Sequence, residues 1–377
     1  MCKESVKQFK EHPENNDYLE KQILTYIGNK RSLLNDIGVE LMDISKQLSK
    51  DKLVTLDLFS GSGIVARYLK QFSNCVYAND LELYSYVIND CYLSNKKEFS
   101  KKKYDKYLQM ILNEIKKNPI RGIICKNYSP VNDKSITESD RAFYSNENAI
   151  FIDSMRYYID QFVPLDYKKL FLARLLVESS IHVNTAGVFK GFYKDKKTGI
   201  GKFGGSGENA LSRILGFFDM SFPYLSNFKT DYFVYQKDAN QLVKELSNID
   251  VAYIDPPYNQ HPYGSNYFML NVIAKNNIVA PISKVSGIPN DWNHSAYNKK
   301  QMALNSLEEV VSLLDARYLI ISYNNEGFIS KKSMEDMLCK YGKLKTKVIE
   351  YNAFRGSRNL NGRPLKTNEY LFVLCKE

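Results

Sequence analysis

Apolar positions in this chain come in short runs, and the period of those runs changes twice along its length. Residues 1–20 are polar and loose. In LTYIGNKRSLLNDIGVELMDISKQL (24–48), Leu33, Leu34, Ile37, Leu41 and Ile44 recur at helical spacing, which predicts a loop opening an amphipathic helix. LVTLDLFSGSGIVARYL (53–69) then reads as a buried strand, a glycine turn and a helix start. CVYAND (75–80) is a second strand and LELYSYVINDCYL (81–93) a second helix. This β-α-β-α alternation predicts a parallel sheet covered on both faces.

From residue 95 the pattern becomes helical and rich in lysine and tyrosine, in KKKYDKYLQMILNEIKK (101–117) and in further segments around 137–183, followed by a glycine-rich basic loop. Strand patterning resumes at DYFVYQKDA (231–239), continues in VAYID (251–255) and RYLIISYN (317–324), and closes with KTKVIEYNAF (345–354) and TNEYLFVLCK (367–376). The expected organisation is one α/β domain in two parts, 1–94 and 229–377, interrupted by a mainly helical insertion, 95–228. No internal repeat or low-complexity segment is present.

Composition narrows the class. With 377 residues and 44% hydrophobic content the chain can bury a large core. No apolar run approaches the length of about 18 residues that a membrane helix needs, and the N-terminus has no apolar signal-peptide core, so a cytoplasmic protein is expected. Six scattered cysteines and four histidines show no ligand spacing, which argues against a metal site and a disulfide framework. The net charge of +10 points to a polyanionic partner; solubility alone is the competing explanation.

Two motifs carry chemistry. LDLFSGSGIVA places Gly61, Gly63 and Ala66 as G-x-G-x-x-A between strand and helix, where a backbone without side chains can approach a ligand. Asp80, at the end of the next strand, is placed to take a ribose hydroxyl pair, so a nucleoside ligand is expected. The second motif is DPPY, residues 255–258, at a strand's carboxyl end. An exocyclic amine on a heteroaromatic base is a poor nucleophile because its lone pair is delocalised into the ring. The Asp255 carboxylate and the Pro256 carbonyl can hold its two hydrogens and favour a pyramidal nitrogen. The Tyr258 ring can stack on the same base, a contact worth roughly 1–3 kcal/mol. The prolines limit the entropy lost in holding that geometry.

YIGNKRSL, DLFSGSG, YAND, NTAGVFKGFYK and DPPYNQHPYGSNYFML together resemble the ordered motifs of Dam-like DNA adenine amino-methyltransferases, in the α-group order. The longer form DPPYNxxxYxxNYxxL is most similar to the FokI-like branch. The resemblance implies a Rossmann-like fold, S-adenosyl-L-methionine as cofactor and double-stranded DNA as partner, with the insertion recognising the target. Residue by residue, it implies cofactor contacts at Tyr26 and Lys30, at Asp57, Phe59 and Gly61, at Asp80, at Asp238 beside the cofactor's adenine, and at Asp255. It implies catalytic roles for Asp255, Pro256 and Tyr258. One departure is IGNK, where the family often has a second glycine before the lysine; asparagine tolerates positive φ, so the turn is expected to survive.

The basic segments then have somewhere to act. In FKGFYKDKKTGIGKFGGSG (189–207), Lys190, Lys194, Lys196, Lys197 and Lys202 are expected to meet phosphate, on a loop that its glycines make mobile. Arg355 and Arg358, with Arg363, suit bidentate phosphate or guanine contacts. KKKYDKY (101–107) reads as a helix's wet face. An adenine inside a duplex must be flipped to be reached, and Asn266, Tyr267 and Phe268 are the expected lining of its pocket. The leading reading is a monomeric, site-specific adenine methyltransferase, the modification arm of a restriction-modification system whose nuclease would act separately. Two alternatives stay open: an RNA-adenine or protein-glutamine methyltransferase, and a catalytically silent DNA-binding protein on the same scaffold. The last is expected to lose the acid or the tyrosine, and both are present.

Overall fold

The computed structural model describes residues 14–352 and 366–377. After a short helix α1 (Asn16–Glu20), helix α2 (Leu34–Leu48) leads into strand β1 (Leu53–Asp57), helix α3 (Ile64–Leu69), strand β2 (Ser73–Asp80) and helix α4 (Leu83–Tyr92). Helices α5 (Lys101–Lys117), α6 (Ile123–Tyr128), α7 (Asn146–Phe162), α8 (Leu165–Ile181) and α9 (Leu211–Ile214) follow without a strand between them. The sheet then resumes with β3 (Asp231–Gln236), α10 (Ala239–Leu242) and β4 (Ile249–Ile254). Next come α11 (Tyr263–Asn266), α12 (Phe268–Lys275) and α13 (Lys300–Leu313). Strand β5 (Ala316–Asn324), α14 (Lys331–Leu338), β6 (Gly342–Asn352) and β7 (Lys366–Lys376) complete the chain.

The seven strands form one sheet in the order β3-β2-β1-β4-β5-β7-β6. Strands β1 to β5 pair in parallel, whereas β7 is antiparallel to both β5 and β6. Central strands have apolar neighbours on both faces, which explains why β4, IDVAYI, is buried throughout. Val251 and Tyr253 face α2 and α3, and Ala252 and Ile254 face α10, α13 and α14. The inner face of α2 is the one its spacing predicts, with Leu34, Ile37, Leu41 and Ile44 buried. In α5 the buried residues are Tyr104 and Ile111, and Lys101, Lys102 and Lys103 lie in solvent.

The chain lays β1, β2 and β3 outward on one side and then crosses back to place β4 on the other side of β1. That reversal opens a crevice at the carboxyl ends of β1 and β4, the place where open α/β sheets bind ligands. Helices α5 to α8 do not pack as a separate body. Their apolar residues share one cluster with Tyr84, Val87 and Ile88 of α4 and with α12. Helix α8 is apolar on most of its circumference because it lies within that cluster.

Candidate active site

Asp57 ends β1, Asp80 ends β2 and Asp255 directly follows β4. Parallel register brings all three to one edge of the sheet, Asp57 lying beside Tyr253. Between β1 and α3 the chain turns through Gly61 and Gly63, at φ +49° and +75°. A Cβ at Gly61 would come within 2.8 Å of the Tyr26 ring, so only glycine fits the turn in this place. Asp80 holds the turn: its Oδ2 accepts from the Gly61 N–H at 2.8 Å, and its Oδ1 from the Glu82 N–H at 2.9 Å.

The segment after DPPY grips the amino-terminal loop. Tyr26 stacks against Tyr263 and Tyr267, with ring centroids 5.0 and 4.8 Å away. The Ile27 N–H donates to the Tyr267 hydroxyl at 2.8 Å, and the Tyr263 hydroxyl donates to the Ile27 carbonyl at 3.0 Å. The two tyrosines of YxxNY thereby set where Lys30 points.

Lys30 is 6% exposed and lies between two acids. Its Nζ is 3.1 Å from Asp255 Oδ1 and 2.6 Å from Glu369 Oε1, and 5.8 Å from the centroid of the Tyr258 ring. Burial works against its charge, and Asp255 and Glu369 together overcome that and raise its pKa well above the ordinary value. Burial also raises the Asp255 carboxyl, to about 7, with Lys30 pulling it down and Glu369 pushing it up. Tyr258 packs edge-on to Tyr323 and remains partly exposed.

Asp57 is 1% exposed, and neither of its oxygens makes a well-formed hydrogen bond among the described residues, the backbone N–H groups of Ala66 and Phe59 lying near but poorly placed. Burial, then the charge of Asp255, holds it well above the usual carboxylate range, and the backbone amides of Ala66 and Phe59 only partly oppose them. A buried carboxylate in that state is costly unless a cation meets it.

Tyr26, Lys30, Asp57, Phe59, Gly61, Asp80, Asp238 and Asp255 line one cleft. Asp238 is exposed at the start of α10, where its Oδ1 accepts from the Gln241 N–H at 3.2 Å. Of the DPPY segment, Asp255 and Pro257 line the cleft, whereas Pro256 is buried and neither it nor the half-buried Tyr258 is on the lining. Asn266, Tyr267 and Phe268 are not on this wall. Each is at most 3% exposed, and Phe268 packs on Tyr128 and Phe143. Lys190, Lys194, Lys196, Lys197 and Lys202 lie away from the cleft. The segment expected to be mobile is a hairpin in which Lys194 bridges to Gly201 and the Asp195 side chain accepts the N–H groups of Lys197 and Thr198. Lys202 pairs with Glu208 at 3.4 Å. Arg355, Arg358 and Arg363 fall outside the described residues.

Sequence reasoning passed over four lining or supporting groups. Glu82 lines the cleft, and its Oε2 accepts from the Asn271 and Asn293 amides at 2.5 and 3.1 Å. Burial, then Asp80, raises its pKa to about 7. Tyr297 meets Phe59 edge-on at 5.1 Å, and its hydroxyl donates to Asn240 Oδ1. Asn293 and Glu369 complete the set. Only the acid two residues beyond Asp80, in NDLE, gave a local hint.

These residues fit S-adenosyl-L-methionine. The unpartnered Asp57 oxygens suit a cationic amino group, the glycine turn admits a close ligand, and Asp80, Glu82 and Asp238 offer acceptors to a nucleoside. Fold and cleft define an S-adenosyl-L-methionine-dependent methyltransferase, and the DPPY segment that follows β4 beside the cleft defines one that acts on amines. The chain belongs to the D12 class N6 adenine-specific DNA methyltransferases, which it matches over residues 26–337. It is 32% identical to Type II methyltransferase M.NlaIII of Neisseria lactamica, over 94% of this chain and 99% of that one. It is 31% identical to Type II methyltransferase M.CviAII of Paramecium bursaria Chlorella virus 1, over 93% and 98%. Modification methylase StsI of Streptococcus sanguinis is 29% identical over 94% of this chain, which spans 52% of StsI. No helix among the described residues is long and apolar enough to cross a membrane.

Proposed function

We propose that this adenine methyltransferase is the modification enzyme of a type II restriction-modification system, acting as a monomer on a short duplex site while a separate nuclease cuts unmodified DNA. The names of its full-length relatives support the type II role. The observation that carries the chemistry is Asp255 on the wall of the cofactor cleft, its Oδ1 3.1 Å from Lys30 Nζ, where burial raises its pKa. S-adenosyl-L-methionine, when bound, supplies the methyl group. Asp57 would hold its amino group, and Asp80 and Glu82 its ribose. Asp255 and the Pro256 carbonyl take the two N6 hydrogens of an extruded adenine, and Tyr258 stacks on its ring. Asp255, with its raised pKa, then accepts the proton that N6 loses. Residues 95–228 read the site, with the 189–207 hairpin on phosphate.

Transfer of labelled methyl to duplex DNA, RNA and protein in parallel tests the proposal. The expected product is N6-methyladenine at one short sequence in duplex DNA; label in RNA or protein instead would refute it. A target adenine placed opposite a mismatched base is expected to bind more tightly, since less pairing energy is lost on extrusion. Equal affinity for matched and mismatched sites would mean that the base stays stacked.

A further inference from the structure

Lys30 has one ammonium charge and two carboxylates beside it, Glu369 buried and Asp255 half-buried, and the shorter contact goes to the residue farther from the chemistry: 2.6 Å to Glu369 against 3.1 Å to Asp255. Glu369 lies on β7 opposite Asn324 of β5, and β5 holds it from behind. The Ser322 hydroxyl donates to its Oε1 at 2.6 Å and the Asn324 amide to its Oε2 at 3.1 Å. A carboxylate inside a sheet is costly to desolvate, and an apolar residue would fill the position at lower cost. Its burial is understandable if the charge acts on something.

A lysine paired with Asp255 alone would draw in the same lone pairs that a target amine needs. A second acid competes for that lysine. We infer that Glu369 is a positioning residue for methyl transfer: by taking the closer of the two ion pairs of Lys30, it keeps Asp255 aimed and basic enough to accept a hydrogen from the target amine. This rests on the proposed reading of Asp255 as that acceptor. The other titratable groups around Asp255 are Asp57 from β1, Tyr253 from β4, and Tyr258 and Tyr263 from the following segment. Lys30 lowers the Asp255 carboxyl and Glu369 raises it, so removing the Glu369 charge lowers it.

The experiment compares wild type with Glu369→Gln and Glu369→Asp in the full chain. Aspartate is labelled at the carboxyl carbon, and the Asp255 resonance is identified by its loss in Asp255→Asn. The Asp255 titration midpoint is expected to fall by roughly one pH unit in Glu369→Gln and to return toward wild type in Glu369→Asp. With unmethylated plasmid DNA, the acid limb of the single-turnover rate should move with it and the maximal rate should drop roughly tenfold, while calorimetric affinity for S-adenosyl-L-methionine stays within about twofold. A merely structural Glu369 would lower the melting temperature and leave the midpoint in place, which overturns the inference. Should the glutamine variant not fold, Ser322→Ala carries the test: a less satisfied Glu369 holds Lys30 more tightly and the Asp255 midpoint rises. An unmoved midpoint there also overturns it. A wild-type enzyme that spares DNA would refute the proposed function alone, because the midpoints are read without catalysis.

Discussion

Asp57 is folded into a place where it makes no well-formed hydrogen bond among the described residues, and its pKa gives the sign of the consequence. A folded-state value raised above the unfolded one means that the fold favours the protonated acid. The contribution to stability is therefore full below the ordinary carboxylate pKa and is lost as pH rises toward the raised value. Asp57→Asn is expected to stabilise the cofactor-free protein by about 1–2 kcal/mol at neutral pH, less in mild acid, while weakening cofactor binding at least tenfold. Thermal melts across pH and calorimetry check both halves; a destabilised variant would contradict the first. Asp255→Ala and Tyr258→Ala should abolish methylation with cofactor affinity nearly intact, and Asp80→Ala should weaken that affinity. With Asp255 as the proposed ionised acceptor, the wild-type rate is expected to decline as pH falls through about 7. Asp57, Asp80 and Asp255 were legible in the sequence because each ends a strand inside a local motif. The Lys30–Glu369 pair was not, since 339 positions separate its members and only the placement of β7 beside β5 joins them.

At the scale of elements, the 189–207 segment combines a basic, glycine-rich composition with local hydrogen-bonded order. Its glycines and lysines read as a mobile basic loop, yet Asp195 organises it, accepting two backbone N–H groups and fixing the turn that presents Lys196 and Lys197 to solvent. The signal was in the sequence: an acid followed by polar residues and a glycine, the pattern of a side-chain-capped turn. Lys196→Ala with Lys197→Ala is expected to weaken DNA binding at all sequences alike. It should also make the plot of log affinity against log salt shallower by up to about 0.9 per lost phosphate contact. Changed site preference with an unchanged slope would remove the phosphate role. Strand positions were easier to read, because β1, β2, β4 and β5 are apolar on both faces. What the pattern of apolar residues could not give was the antiparallel entry of β7 between β5 and β6, which depends on pairing partners and not on any local period.

Across the whole molecule, the insertion and the catalytic framework share one hydrophobic cluster that runs from α5 to α8 through α4 to α12. Excising residues 95–228 would strip the cover from Tyr84, Ile88, Met269 and Leu270, all buried. The shortened chain is expected to be insoluble or to lose its near-ultraviolet circular dichroism; a soluble product with a cooperative melt would contradict this. The sheet order also carries a consequence in time. Strand β6 reaches the sheet only through β7, and Glu369 is on β7, so the pocket around Lys30 cannot close while the last strand is still inside the ribosome. A nascent chain, synthesised from its amino end at about 5–20 residues per second, holds every glycine and aspartate of the cofactor cleft well before it holds the acid that aims the lysine. On the inference that Glu369 positions Lys30, a nascent chain that still lacks β7 is expected not to methylate DNA.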